Sequence, residues 1–141
     1  MQKLFTILLI VAATSVQAAK EHWKLGLQCW SFNHKTLLET ADYCRLQGIQ
    51  YLEIYPGQRI GGDFDGKVSH TMSPEVRERL LAELAKREVE LVSYGVVNAR
   101  DEKGWNQIFS FCKAMGIETV ISESGQMKTI DAMTRKYGIS L

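Results

Sequence analysis

The sequence predicts an α/β fold in which strands and helices alternate along the chain, and three observations carry that expectation. The first is an internal echo: Tyr43 to Ile49 (YCRLQGI) and Phe111 to Ile117 (FCKAMGI) match in residue type at a constant offset of 68. The second is periodicity, because apolar residues recur at helical spacing before the glycine of each segment and a short apolar run follows it. The third is composition. With 141 residues, 45% of them hydrophobic, two prolines and three cysteines, the chain suits one globular unit and excludes a low-complexity linker or a disulfide-stapled scaffold.

The first 18 residues stand apart from that unit. Lys3 supplies a positive charge, Leu4 to Ala13 form a ten-residue run with Thr6 its only polar member, and Val16-Gln17-Ala18 offers small residues before a cut. Residues 1–18 therefore read as a secretory signal peptide, with a mature chain of residues 19–141 beginning at Ala19 and exported to a periplasmic or secreted location. The run is about half of the roughly 20 residues a spanning helix needs, so no stable membrane anchor is expected. Without Lys3 the mature chain carries 16 basic and 16 acidic residues, a net charge of zero. Nucleic-acid binders need a basic face to displace counterions, and the pairs Lys86-Arg87 and Arg135-Lys136 are isolated; nucleic acid is not an expected partner. Three cysteines cannot all pair internally. Cys44 and Cys112 fall four residues before a Gly-Ile at a helix end, where a buried thiol is expected, and a disulfide or metal role for Cys29 is the lesser reading.

The elements follow in order. Leu25 to Phe32 (LGLQCWSF) is the first strand, and Leu37, Ala41 and Cys44 mark a helix that Gly48 ends in a left-handed turn. Tyr51 to Tyr55 is the second strand. Ser73-Pro74-Glu75 starts the next helix with an N-cap, a first-turn proline and a carboxylate near the positive end of the dipole; Val76, Leu80, Leu84 and Val89 form its apolar face. Leu91 to Val97 is the third strand, followed by a helix through Trp105, Ile108, Phe109 and Cys112 up to Gly116. Thr119 to Ser122 is the fourth strand, Gln126 to Tyr137 a helix ended by Gly138, and Ile139-Ser140-Leu141 the first step of a fifth strand.

Strict alternation implies a parallel sheet covered by helices, for which two architectures compete. A doubly wound open sheet usually carries a Gly-rich phosphate loop after its first strand, and Cys29 to His34 has none. A (β/α)8 barrel needs about 250 residues, so this chain would be its N-terminal half, with about four βα units, and the natural gene is expected to continue for about 120 residues or more. Gln28, Glu53, Ser93 and Glu123 favour the barrel, since they are polar residues at or near strand C-terminal ends, where a barrel builds its site. Half a barrel leaves strand edges open, so an oligomer is possible.

Alternation along Tyr51-Leu-Glu-Ile-Tyr55 puts Glu53 and Tyr55 on one face, the lumen, and Leu52 and Ile54 on the other. A carboxylate there persists when paired, hydrogen-bonded or bound to metal, and is either structural or catalytic. Glu123 closes the fourth strand, where a carboxylate can both hold a cation and reach a substrate. Trp30 could stack on a sugar ring or simply pack, and His34 lies on the face for substrate contact. Pro56 to Met72, 17 residues with no pattern of their own, reads as a functional loop on the same face, carrying Arg59, Gly61-Gly62, Asp63, Asp65 and His70. Asp63-x-Asp65-Gly66 lacks the later ligands of a calcium loop. His70 is either a ligand or an exposed loop residue, and His22 is expected in solvent. No GxxxxGK[ST], HExxH, GxSxG or CxxC occurs.

Gly26 to Phe32 (GLQCWSF), Leu52 to Gln58 (LEIYPGQ), Ser93 to Val97 (SYGVV) and Met115 to Glu123 (MGIETVISE), in that order, resemble the xylose isomerase-like TIM barrels, and in particular exported members described as sugar phosphate isomerases/epimerases. The resemblance spans roughly residues 24 to 141. It implies a divalent cation, Mn, Mg, Co or Zn, held by Glu, Asp and His at strand ends, most of them from later strands than these. Glu123 matches the strand-4 carboxylate, for which the resemblance implies a metal-ligand role, and Glu53 matches the strand-2 glutamate. The implied function is metal-dependent isomerisation or epimerisation of a sugar or related polyol by proton transfer next to a carbonyl, with Glu123 and Glu53 catalytic and Trp30, His34, Tyr55 and His70 substrate-binding. These 141 residues alone are expected to be inactive. Export favours free sugars over phosphorylated ones. The alternatives are a catalytically silent carbohydrate-binding barrel and a lyase or hydratase acting on oxidised glycosides; a DNA-repair barrel is disfavoured by export and zero charge.

Overall fold

The structure, a computed structural model, describes residues 23–141; the expected signal peptide, its cleavage site and His22 lie outside the described residues. Four strands, β1 (Gly26–Gln28), β2 (Tyr51–Ile54), β5 (Glu90–Gly95) and β6 (Thr119–Ile121), form one sheet in the order β1-β2-β5-β6, every pairing parallel. Each strand lies beside the next one of the sheet in chain order, without the reversal that defines a doubly wound sheet. This is the arrangement of a partial TIM barrel, and it decides between the two architectures the sequence left competing.

Helices α1 (Leu37–Gln47), α2 (Pro74–Ala85), α3 (Glu102–Ala114) and α4 (Met127–Tyr137) connect and cover the strands. Three of the four begin where the sequence offers an N-terminal partner. Thr36 and Glu39 cap α1 reciprocally, Ser73 and Asp101 accept from backbone amides of α2 and α3, and α4 begins after Gln126 with no side-chain cap. Gly48 and Gly116 hold φ of 70° and 71°, the left-handed turn that lets two helices stop and the chain re-enter the sheet. The core lies between the helices and one face of the sheet, with Leu37, Ala41 and Cys44 of α1, Trp105 and Phe109 of α3 and Ile130 of α4 packed toward Leu52, Ile54, Tyr94 and Val120. Cys29, Cys44 and Cys112 are all buried free thiols.

Three local expectations are corrected. The first strand stops at Gln28, and Cys29–Phe32 is a short 3-10 helix that buries Cys29. Strand propensity in Cys-Trp-Ser-Phe is overridden because Asn33 and Lys35 donate their amides back to the Trp30 and Phe32 carbonyls. The segment 56–72 is ordered by an antiparallel hairpin, β3 (Arg59–Gly61) and β4 (Phe64–Lys67), with Ile60 and Val68 buried. Gly61 fits that hairpin to α1, since a Cβ there would stand 2.4 Å from the Thr36 hydroxyl. The fourth strand ends at Ile121, so Glu123 lies two residues past it, in the loop before α4. Beyond α4 the fifth-strand step is present: Ser140 bridges Thr119 in parallel, its amide donating to Glu118 and its carbonyl accepting from Val120.

Candidate functional site

The lumen face of the sheet carries a polar row fixed by register. Gln28 pairs with Glu53 across β1 and β2, and Glu53 with Ser93 across β2 and β5. The side chains complete what the register begins: Gln28 Nε2 donates to Glu53 Oε1 at 2.7 Å, and Ser93 Oγ donates to Oε2 at 3.0 Å. Each carboxylate oxygen thus has one partner and retains acceptor capacity. A bulge opposite Leu52-Glu53 makes this possible, because it inserts one extra residue of β5 and turns Ser93 to Glu53's side while Tyr94 goes to the helix layer.

Above this row opens a cavity of about 400 Å³, lined by Gln28, Trp30, Glu53, Tyr55, Val96 and Ile121 among others. Trp30 is 59% exposed and meets Tyr55 edge-on at 4.9 Å between ring centroids. Burial pushes the Tyr55 hydroxyl up, with Cys29 adding to the rise and Arg59 opposing it. Gly95 forms part of the wall. A Cβ on it would stand 2.5 Å from both the Ile121 Cβ and the Ile121 carbonyl oxygen, so the close approach of β5 to β6 at the cavity requires glycine.

Of the residues singled out from sequence, Glu53, Tyr55 and Trp30 share this cavity. Glu123 is exposed in the loop after β6. His34 is exposed, and its carbonyl accepts from Arg59 Nη2 at 3.3 Å. His70 lies elsewhere, with Nδ1 3.3 Å from the hydroxyl of Tyr94, whose ring packs on Phe111 of α3. It therefore sits on the helix side of the sheet, and burial holds its imidazole below the ordinary value of 6.5. Sequence reasoning singled out neither Gly95 nor Val96 for the cavity, although Ser-Tyr-Gly at a strand end was the available signal. A larger trough, about 750 Å³, lies at the amino ends of the strands, where Glu118 pairs with Lys24; that end of a barrel serves stability. Among the described residues, no group of three or more His, Cys, Asp or Glu side chains is close enough to hold a metal ion.

Solved structures place this geometry in context. The chain is similar to an uncharacterised protein from Parabacteroides distasonis ATCC 8503 with a TM-score of 0.76 and 28% identity, over 83% of this chain and 50% of that one. It also superimposes on a sugar phosphate isomerase/epimerase from the same organism, TM-score 0.57 at 16% identity over 92% of this chain and 54% of the other. The IOLI protein with a bound zinc atom gives a TM-score of 0.55 at 16% identity, over 83% and 49%. The chain spans about half the length of each of these structures. At 16% identity the likeness is one of fold, that of a TIM barrel. No protein-family model matches the chain, and no curated protein matches it.

Proposed function

We propose that the cavity around Glu53 is the substrate site of a (β/α)8 isomerase or epimerase acting on an unphosphorylated sugar or related polyol. The observation that carries this reading is the Gln28–Glu53–Ser93 chain, which aims a fixed carboxylate into a strand-end cavity beneath an aromatic corner. The apolar face of a sugar ring suits the Trp30–Tyr55 corner, while its hydroxyls meet Glu53 and Gln28. Glu53 takes the proton from the carbon beside the carbonyl, and the electron pair passes to the carbonyl oxygen. For isomerisation Glu53 returns the proton to the former carbonyl carbon while the hydroxyl proton of the first carbon passes to the other oxygen; epimerisation instead takes a second acid, the part of Glu123 in this reading, to return a proton to the opposite face of the same carbon. Glu123, exposed on the loop after β6, is the second carboxylate of this reading, and His34 is a further contact at the substrate's edge.

The fold likeness to a sugar phosphate isomerase/epimerase supports the class, and the zinc of the IOLI protein supports a divalent ion, Mn, Mg, Co or Zn. Glu53 by itself does not make a metal site, and no group of three or more donors is found among the described residues, so removal of the proton is assigned to Glu53 and no step is routed through an ion. Export, from the signal peptide expected over residues 1–18, favours free sugars over phosphorylated ones.

Tryptophan fluorescence tests the binding step. Trp30 is 59% exposed at the cavity, Trp105 is fully buried and Trp23, though exposed, is not part of the cavity lining, so titration with pentoses, hexoses and inositols should shift emission in the protein and leave Trp30→Phe unmoved. No shift and no heat of binding with any of them at millimolar concentration contradicts the reading. Binding without turnover favours a carbohydrate-binding barrel instead.

A further inference from the structure

On the helix side of the sheet a second cleft, of about 420 Å³, opens between the loop preceding α2 and the outer face of α3. His70, Arg77, Lys103, Asn106, Gln107 and Ser110 line it, and no carboxylate does. Neither Arg77 nor Lys103 forms an ion pair among the described residues. Two acids precede Lys103 at the start of α3: Asp101 accepts from the Gly104 amide at 2.8 Å, and Glu102, like Asp101, is not among the residues lining the cleft.

Two of the lining groups are positioned from behind. Asn106 Oδ1 accepts from Lys136 Nζ at 2.7 Å and from Tyr137 Oη at 2.8 Å, so α4 occupies its acceptor and leaves its two amide hydrogens for the cleft. His70 Nδ1 faces the buried hydroxyl of Tyr94 at 3.3 Å. Burial pushes that hydroxyl up and the imidazole down, keeping both neutral. In the tautomer in which the phenol donates to Nδ1, the ring proton resides on Nε2 and is free to donate.

We propose that this cleft is a second binding site, separate from the Glu53 cavity, for an oxyanion carried on a hydroxylated, sugar-like body. Arg77 and Lys103 neutralise the anion, His70 and Asn106 donate to it, and Gln107 and Ser110 meet the hydroxyls. The cleft is larger than a bare oxyanion requires, and the rest of it is lined by the amide and hydroxyl side chains of Gln107, Ser110 and Thr71 together with the apolar Met72 and Phe111, a mixed surface that suits a sugar-like body. Two sources share this chemistry, a sugar phosphate and a sugar carboxylate.

The test is calorimetry and imidazole NMR on the protein as its natural gene encodes it, titrated with glucose 6-phosphate, glucuronate, glucose and inorganic phosphate. At least one charged sugar should bind and move the His70 ring resonances, and the ratio between the two identifies the source. Arg77→Gln combined with Lys103→Gln should weaken that binding roughly tenfold or more, as loss of charge-assisted hydrogen bonds does, while Arg135→Gln and Glu53→Gln leave it unchanged. Four results overturn the proposal: unmoved His70 resonances, undiminished binding in the double variant, inorganic phosphate binding as tightly as either sugar, or loss of binding in Glu53→Gln.

Discussion

The two faces of the four-stranded sheet are built from the same short strands and follow opposite rules. Toward the helices stand Leu52, Ile54, Tyr94 and Val120, all fully buried. Toward the lumen stand Gln28, Glu53 and Ser93, joined by hydrogen bonds across three strands. The helix face is held by area removed from water, which tolerates no void. The lumen face is held by directed bonds, and each Glu53 oxygen keeps acceptor capacity beyond its one partner. Apolar packing and directed hydrogen bonding are thus separated by alternation along single strands, with one bulge in β5 correcting the parity so that Ser93 can join the polar face.

Adjacent residues of β2 give the sharpest way to break this comparison. Ile54→Ala should cost about 2–5 kcal/mol, the range for truncating a fully buried aliphatic side chain, seen as a lowered urea midpoint. Glu53→Gln, one residue earlier and half-buried, should leave that midpoint nearly unchanged, because the amide still accepts from one neighbour and keeps the volume. Equal losses at the two positions would mean that the lumen face is also structural. A smaller effect is expected at the α1 cap: Thr36→Ala removes a reciprocal cap and should cost about 1 kcal/mol.

A pH-dependent effect belongs to the helix side. Burial holds His70 below 6.5, so as pH falls through 6.5 the unfolded chain takes up a proton that the folded chain does not. The stability concerned is present above pH 6.5 and lost as pH falls toward the folded value. Urea midpoints measured from pH 7.5 to 5 should decline in the native chain and decline less in His70→Gln. The smallest effect is expected at the exposed Asp131–Arg135 pair on α4, where Arg135→Gln should be indistinguishable from the native chain in the same assay.

The units that alternate most regularly were legible in the sequence. The helical spacing of Leu37, Ala41 and Cys44, and of Trp105, Ile108, Phe109 and Cys112, followed in each case by a glycine and an apolar run, marks two of the four units without tertiary information. The hairpin was not legible, because Arg-Ile-Gly and Phe-Asp-Gly-Lys lack an apolar alternation and are ordered by burial of Ile60 and Val68 and by the Gly61 contact with Thr36. The 3-10 turn at Cys29–Phe32 was hidden by strand-forming residues. In the site, alternation alone put Glu53 in the lumen, while its bonds to Gln28 and Ser93 depend on register and on a bulge that sequence does not announce. His70 was singled out in the sequence, but its place was not legible: a loop residue has no periodicity, and only tertiary packing decides that it turns to Tyr94.

The central claim is that Glu53 moves the proton, and solvent deuterium measures it directly. The protein from the natural gene, supplied with Mn or Mg and a sugar that binds, should incorporate deuterium at the carbon next to the carbonyl. Incorporation should fall roughly 100- to 10,000-fold in Glu53→Gln, the cost of removing a positioned acid or base, with an unchanged urea midpoint. A comparable fall in Glu123→Gln would make that residue the second carboxylate, and loss on chelation would establish the divalent ion. Deuterium entering the sugar at the native rate in Glu53→Gln would contradict the account and reduce the Gln28–Glu53–Ser93 row to a structural bond.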